Sequence, residues 1–485
     1  MRQNEDSYFS EPQFKRLLQR YIKARHEGRP IYMDADELTD IAEYYMTNGN
    51  EGKANEAIEL AVSLHPDSVD PQIFLARQEM FHDNLDEAHR ICDAIGDQDD
   101  REVTFLNAEL LIREERFSES VEYLLGKYDA LDDEPDMFLY DCACIYLDYE
   151  LYEEAQVFTK RLSDDYPDKK AEAEVLTVDI LMGQEDYKPA IPILNAILDR
   201  NPYDIDAWIN MANAYKGLSS YPEAVECADY VLAMEPNNRK AVIVKAYCLF
   251  HMGQCQEASD LCDTYLQEHP EDAVVLSLCG SCHLSICKYE TAKEYLETAA
   301  ALGVDDERER IHLYMQLAFA LSKLKKKDEA LAAVDVAEGL INSNDKTETC
   351  LARGEIYLNN DDTENAVRQF LKALEYCKDK KQTFLTICIT MMDADLIEDA
   401  KEMMTIMLAE FPEDRERMSP YLAMCEYRLG NKMEYLDYLK LAAKADRETT
   451  RLMFGQLYPN VEPEEYYMYA YHDYYGCYPP MSRER

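Results

Sequence analysis

Apolar and polar positions along the chain follow the spacing of amphipathic helices. Bulky apolar residues recur three and four positions apart, in stretches separated by short turns. Two neighbouring stretches form a pair, and each stretch of the pair carries one small residue; the two small residues are twelve positions apart. This separation places the two small residues on two antiparallel helices, where small side chains let the helices approach closely. The pattern predicts an all-α chain built from helix pairs.

The pair of small residues recurs about every 34 residues and gives about twelve units. The first members are Ala42, Ala76, Ala108, Ala143, Val178, Ala212, Ala246, Gly280, Ala318, Gly354, Cys388 and Ala423. The second members are Ala54, Ala88, Ser120, Ala155, Ala190, Ala224, Ala258, Ala292, Ala330, Ala366, Ala400 and Tyr435. Only Val178 and Tyr435 depart clearly from the small residues of the pattern. So many units in one register indicate a single repeat array.

The most regular unit, Ile205–Asn238, contains Trp208, Met211, Ala212, Tyr215, Ala224, Ala228, Val231 and Pro236. At these positions the unit resembles the tetratricopeptide repeat family, whose signature has the same spacing. The resemblance covers about residues 35–445. It implies a right-handed α-solenoid, that is, a superhelix of helix pairs.

Two insertions break the repeat register, Gly303–Arg310 and Gly339–Lys346. Each is interpreted as a longer surface loop, with a hinge in the solenoid as the alternative. The resulting division has a capping helix at 1–34, repeats 1–8 at 35–302, repeats 9–12 at 303–445 and a Tyr-rich segment at 446–485.

The two flanks are too short for a catalytic domain of ordinary size. Gln13–Arg29 reads as an amphipathic helix that either caps the first repeat or acts as a basic arm for an acidic neighbour. Glu464–Tyr478 holds seven tyrosines. It either closes the last repeat or docks on a partner or a second copy of the chain.

Composition narrows the range of partners. The chain has 50 Lys and Arg against 97 Asp and Glu, a formal net charge of −47. We therefore expect no nucleic-acid or membrane binding, because phosphate backbones and anionic lipids would be repelled. No apolar signal core is seen, and the 15 cysteines lie mostly within apolar helical patterns. Both features favour a reducing, cytoplasmic location.

No catalytic or cofactor motif is found, so we expect neither an enzyme nor a bound cofactor. Cys279 to His283 reads CxxCH, which matches the attachment pattern of c-type haem. Because Gly280 is the small residue of its repeat, this stretch is interpreted as a core helix. Cys248, Cys255 and Cys262 are seven apart but fall on two helices, so buried structural cysteine is preferred there over zinc.

The family resemblance implies that the first helix of each unit lines the concave surface. The partner-binding residues expected there are Asn210, Asn213, Ile243, Tyr247, Phe250, Met315 and Phe319. Asn213 matches the Asn of a carboxylate-binding clamp, but Ile209 stands where the clamp needs Lys. The alternative for the aromatic residues is ordinary packing between helices.

The function that these observations favour is a scaffold or adaptor that binds a protein or peptide, neutral or basic, in the concave groove. The alternative is a structural protein that self-assembles through its terminal segments. The oligomeric state stays open.

Overall fold

The structure is a computed structural model, and it describes residues 8–9, 11–27, 29, 31–131, 134–341 and 345–479. Within these ranges the chain forms 27 α-helices and no β-strand. None of the helices found there has both the length and the apolar character that a bilayer crossing requires. The predicted all-α solenoid of helix pairs is confirmed.

The helices fall into two compact units, Met1–Met234 and Glu235–Arg485. The first unit contains α1 (Pro12–His26), α2 (Ala35–Thr47), α3 (Glu51–Leu64), α4 (Val69–Phe81), α5 (Leu85–Ala94), α6 (Arg101–Arg113), α7 (Phe117–Tyr128), α8 (Pro135–Asp148), α9 (Tyr152–Asp165), α10 (Lys170–Gly183), α11 (Tyr187–Arg200), α12 (Ile205–Gly217) and α13 (Tyr221–Met234).

The second unit continues the same alternation. It contains α14 (Arg239–His251), α15 (Cys255–Leu266), α16 (Ala273–Ser285), α17 (Tyr289–Leu302), α18 (Glu307–Lys323), α19 (Lys327–Leu340), α20 (Thr347–Asn359), α21 (Thr363–Tyr376), α22 (Lys380–Asp393), α23 (Ile397–Glu410), α24 (Arg415–Leu429), α25 (Lys432–Ala445), α26 (Arg447–Phe454) and α27 (Tyr466–Tyr475). The predicted boundary between residues 302 and 303 stays a prediction.

The small residues lie where the two helices of each pair meet. Ala224 and Ala258 are fully buried, and so is Ser120, which replaces alanine in its repeat. At Gly280 even a methyl group would be too large, because a β-carbon built there would stand 2.6 Å from Cγ of Leu296. The close approach inferred from the sequence therefore has a steric cause in the folded chain.

A three-residue turn with a left-handed middle residue joins the helices of most pairs. Glycine fills that position at Gly49 and Gly253. At the other such turns the left-handed residue carries a side chain: Asp83, Glu115, Glu150, Glu185, Ser219, Cys287, Lys325, Asp361 and Asp395. A left-handed residue ends a helix by turning its last carbonyl groups onto following N–H groups. In most of these turns the helix therefore ends at a left-handed residue that is not glycine.

The insertion Gly303–Arg310 is only partly a loop. Gly303 has a φ of +88° and ends α17, and α18 begins at Glu307. Because the side chain of Asp306 accepts the N–H of Glu309, the rest of the insertion forms the first turn of α18. In the insertion Gly339–Lys346, residues 342–344 lie outside the described residues.

The terminal helices pack on the neighbouring repeats. In α1, Phe14 and Tyr21 are buried in a cluster with Ile41 of α2. In α27, Tyr466 and Ala470 are buried in a cluster with Tyr435 of α25. The outer tyrosines of the C-terminal segment remain exposed, namely Tyr469, Tyr475 and Tyr478.

Candidate partner-binding groove

A depression in the second unit is lined by three helices that occupy equivalent places in successive repeats, α14, α16 and α18. It encloses about 420 Å³. Its lining consists of Phe250, Ser281, Leu284, Ser285, His312, Met315, Gln316 and Phe319. Three of the residues predicted from the sequence, Phe250, Met315 and Phe319, are therefore brought together in one groove.

Most polar side chains of the groove are hydrogen-bonded to their own helix. Ser281 donates to the carbonyl oxygen of Ser277 at 3.0 Å, and Ser285 donates to that of Ser281 at 3.2 Å. The amide of Gln316 contacts the imidazole of His312, with Nε2 atoms 2.7 Å apart. Oε1 of Gln316 is shielded from solvent and has no hydrogen-bond partner among the described residues. The groove is thus apolar, with one unsatisfied acceptor.

The aromatic ring of Phe319 is held from two sides. Nζ of Lys323 lies 4.8 Å from the ring centroid, one turn further along α18. The ring of Tyr289 makes an edge contact with it at 6.4 Å. Because neither contact covers the ring completely, Phe319 is half-buried and keeps a surface toward the groove.

Two further predicted residues, Ile243 and Tyr247, lie on α14 but do not belong to the lining. Tyr247 is 38% exposed, and its ring packs against His251 with centroids 4.3 Å apart. Ile243 is half-buried one turn earlier. Asn210 and Asn213 lie half-buried on α12 in the first unit. The predicted set is therefore divided between the two units.

The sequence prediction did not include Leu284, His312 and Gln316. Leu284 follows Ser281 by three residues, and His312 precedes Met315 by three, so each lies on the same helix face as its neighbour. Helical spacing could have found these residues once the groove-facing side was known.

A second, smaller depression in the first unit is strongly acidic. It encloses about 240 Å³. Its lining consists of Asp36, Thr39, Asp40, Glu43, Asp70, Ile73, Phe74, Arg77 and Glu102. Arg77 donates to Glu109 at 2.7 Å, and this pairing holds the pKa of the guanidinium above its usual value although burial alone would lower it.

Burial raises the pKa of Asp70, and neighbouring carboxylates raise it further, Asp36 first among them. Burial likewise raises the pKa of Asp40 and of Glu102. The depression therefore concentrates carboxylates whose ionisation is costly in the folded state. No sequence pattern singled this cluster out in so acidic a chain.

Comparison with known families agrees with this architecture. Residues 347–380 match the tetratricopeptide repeat family. Residues 217–299 match the family described as anaphase-promoting complex, cyclosome, subunit 3. The chain is a tetratricopeptide-repeat protein. Such repeats generally form non-catalytic interaction scaffolds.

This tetratricopeptide-repeat protein is 22% identical over 246 residues to human DnaJ homolog subfamily C member 7, a match of 46% of this chain. The match spans about half of the human protein, 49% of its length. Among solved structures, a tetratricopeptide repeat protein from Parabacteroides merdae is 16% identical, with a TM-score of 0.42 over 53% of this chain and 98% of that one. The Cut9–Hcn1 hetero-tetramer structure of the APC/C is 12% identical, with a TM-score of 0.34 over 92% and 94%.

The stretch that reads CxxCH lies in α16 of the tetratricopeptide-repeat array, as expected for a core helix. Cys279 is fully buried and His283 is 4% exposed. The two side chains meet Asp263 of α15, and one ligand atom from each of the three residues lies within 4.8 Å of the others. Cysteine, histidine and aspartate are the residue types that hold zinc.

Proposed function

We propose that this protein is an adaptor that binds an apolar-rich peptide segment of a partner protein in the groove of α14, α16 and α18. The observation that carries the proposal is that Phe250, Met315 and Phe319, from two different helices, line one depression. Grooves that hold peptides are predominantly apolar, with a few polar groups that fix orientation.

The charge of the chain favours a neutral or basic partner. With a formal net charge of −47, an acidic segment would be repelled during approach, whereas a basic one would be attracted. The proposed role is binding without catalysis.

The proposed location is a reducing, cytoplasmic setting. The absence of disulfides among the 15 cysteines supports it.

Self-association is the second candidate function. Tyr469, Tyr475 and Tyr478 leave aromatic surface exposed on the C-terminal segment. Tyrosine is enriched at interfaces because its ring is apolar and its hydroxyl can remain solvated. Light scattering of the full chain over a range of concentrations, with Tyr469→Ser and Tyr475→Ser, distinguishes the two: an adaptor stays monomeric, and a self-assembling chain dissociates when the tyrosines are removed.

The groove is tested with peptides selected against the full chain from a random displayed library. We expect the selected peptides to bind Phe250→Ala with Phe319→Ala at least about 30-fold more weakly, the loss typical of aromatic anchors. The matched control is Phe81→Ala, because Phe81 is 78% exposed and does not belong to the lining of the groove.

Thermal melting of the same samples separates binding from folding. If the two rings pack mainly between helices, the double variant loses stability, and its binding falls only with its unfolded fraction. Phe250→Leu with Phe319→Leu keeps most of the buried apolar surface. Peptides that bind every variant equally well would exclude the groove as the site.

A further inference from the structure

Three side chains of different chemistry converge between α15 and α16. Cys279 and His283 are four residues apart on α16, so they share one helix face, and Asp263 comes from α15. Sγ of Cys279 lies 3.3 Å from Oδ1 of Asp263. Nε2 of His283 lies 4.0 Å from Oδ2 of the same carboxylate.

These distances approach those of a tetrahedral zinc centre. With metal–sulfur bonds of about 2.3 Å and bonds to nitrogen or oxygen of about 2.0–2.2 Å, neighbouring ligand atoms stand about 3.4–3.6 Å apart. The cysteine–aspartate pair, measured to Oδ1, lies near this separation already. The histidine–aspartate pair, measured to Oδ2, has to close by about half an ångström, and the carboxylate has to present one oxygen to the ion. Side-chain rotation alone can supply such a shift.

A further thiol and a route of entry lie beside these three residues. The thiol of Cys262, on α15, is a neighbour of Cys279 but lies outside the group of ligand atoms that are all within 4.8 Å of one another. The thiol of Cys279 and the ring of His283 are enclosed, whereas the side chain of Asp263 is 37% exposed. An ion can therefore enter from the exposed side of the cluster, where Asp263 lies, and be held by the buried sulfur of Cys279 and the buried nitrogen of His283.

The surrounding side chains hold the proposed ligands in place. The hydroxyl of Tyr295, on α17, donates to Oδ1 of Asp263 at 2.5 Å. The ring of Tyr295 also stacks on that of His283, with centroids 5.4 Å apart and planes 5° from parallel. Oγ of Ser259 lies 3.1 Å from Nε2 of His283, a contact that a metal ion bound at Nε2 would replace. Metal ligands are commonly oriented by such neighbours, because a hydrogen bond to a ligand fixes its direction.

We propose that Asp263, Cys279 and His283 bind one Zn²⁺ ion, with Cys262 or a water molecule in the fourth position. On binding, the thiol of Cys279 loses its proton to solvent and its sulfur becomes a thiolate ligand. Nε2 of His283 gives its lone pair to the ion and gives up its contact with Ser259. Because α15 and α16 belong to successive repeats, the ion would link two neighbouring repeats within the second unit.

The test uses the full chain, reduced with a phosphine, stripped with a chelator and then dialysed against Zn²⁺ or Co²⁺. We expect one tightly held ion per chain, a thiolate-to-cobalt charge-transfer band in the near ultraviolet, and a rise in melting temperature with Zn²⁺. Asp263→Asn, Cys279→Ser and His283→Gln should each lose all three signals. Tyr295→Phe should weaken zinc binding about 10-fold, as expected for a group that orients a ligand.

Cys282→Ser is the matched control, because Cys282 is equally buried on α16 but lies outside the cluster. It should keep the ion. A weaker cobalt band in Cys262→Ser would identify the fourth ligand as sulfur, because only the Cys279 thiolate would remain, and an unchanged band would identify it as water. If the chain takes up no zinc, or if Asp263→Asn and His283→Gln bind as much as the Cys282→Ser control, the cluster is a hydrogen-bonded part of the core and the proposal is wrong.

Discussion

Gly354 of α20 lies directly against the ring of Phe370 on α21, so closely that a β-carbon on the glycine would overlap the ring. Gly354 is the first small residue of its repeat, and Phe370 follows the second, Ala366, by one helical turn. Phe370 and Ala366 are both buried. The small residue is therefore required by the bulky one that covers it.

Gly354→Ala should destabilise the protein although alanine is the better helix former. Because the overlap with the buried Phe370 ring is severe, it should cost about 2–3 kcal/mol, which exceeds the gain of about 1 kcal/mol from helix propensity. Gly126→Ala is the control, because Gly126 lies exposed in α7 with no atom within 4 Å of a β-carbon built there. Urea unfolding followed by circular dichroism should place Gly354→Ala below the wild type and Gly126→Ala at or above it. Equal midpoints for the two variants would contradict the close crossing.

Ser120 and Tyr146 form a buried hydrogen-bonded pair in the first unit. Ser120 donates to the carbonyl oxygen of Ala108 at 3.0 Å and accepts from the Tyr146 hydroxyl at 2.8 Å. Ser120→Ala leaves the tyrosine hydroxyl buried without its partner, so we expect a loss of about 1–3 kcal/mol. Ser120→Ala combined with Tyr146→Phe should lose less than the sum of the two single variants. Strict additivity in the same unfolding assay would show that the pair is not coupled.

The stability of the acidic cluster in the first unit should depend on pH. Burial and neighbouring carboxylates raise the pKa of Asp70 in the folded protein, so the folded state binds its proton more tightly than the unfolded chain does. The stabilisation that protonated Asp70 contributes is fully present at pH values below the pKa of Asp70 in the unfolded chain. It is lost as the pH rises through the pKa of Asp70 in the folded protein. Asp70→Asn should therefore gain stability relative to wild type at pH 7 and lose most of that advantage near pH 4, as thermal melts at both pH values would show.

The wild type and Asp70→Asn are compared at each pH, because other groups titrate in the same range. His283, for example, contributes a change of stability in the opposite direction, since burial lowers the pKa of its imidazole. Glu119→Gln is the control, because the guanidinium of Arg116 lowers the pKa of that carboxyl and the sign reverses. An Asp70→Asn variant that follows the wild type at every pH would show that Asp70 titrates as it does in the unfolded chain.

Association with a basic peptide selected against the groove should slow as salt rises. The formal net charge of −47 attracts cations over long distances at low ionic strength, and the Debye length falls from about 30 Å at 0.01 M to about 10 Å at 0.1 M. Stopped-flow measurements should show the association rate falling at least about 10-fold between these conditions, with a smaller change in dissociation. A neutral peptide that binds the same groove serves as the control. A rate that does not vary with salt would exclude charge as the steering force.

The sequence by itself determined the helix pairs and their repeat. Positions such as Ala224 and Ala258 recur at a fixed interval, and the local apolar spacing around them predicts each helix independently. Because every repeat contacts mainly its neighbours, this local pattern carries most of the information about the fold. The connecting turns were less predictable from the sequence. Asp83 and Lys325, for example, adopt a left-handed conformation in which glycine is the usual residue, because the packed helices on either side fix the turn.

The tertiary structure alone decided which side chains meet. The groove joins Phe250 to Phe319, and the metal-ligand cluster joins Asp263 to His283, in each case across separate helices. Helical spacing tells which residues of one helix share a face, but it does not tell how that face is turned toward the next helix. That rotation is set by the packing of many side chains at once, so contacts between helices became visible only in the folded chain.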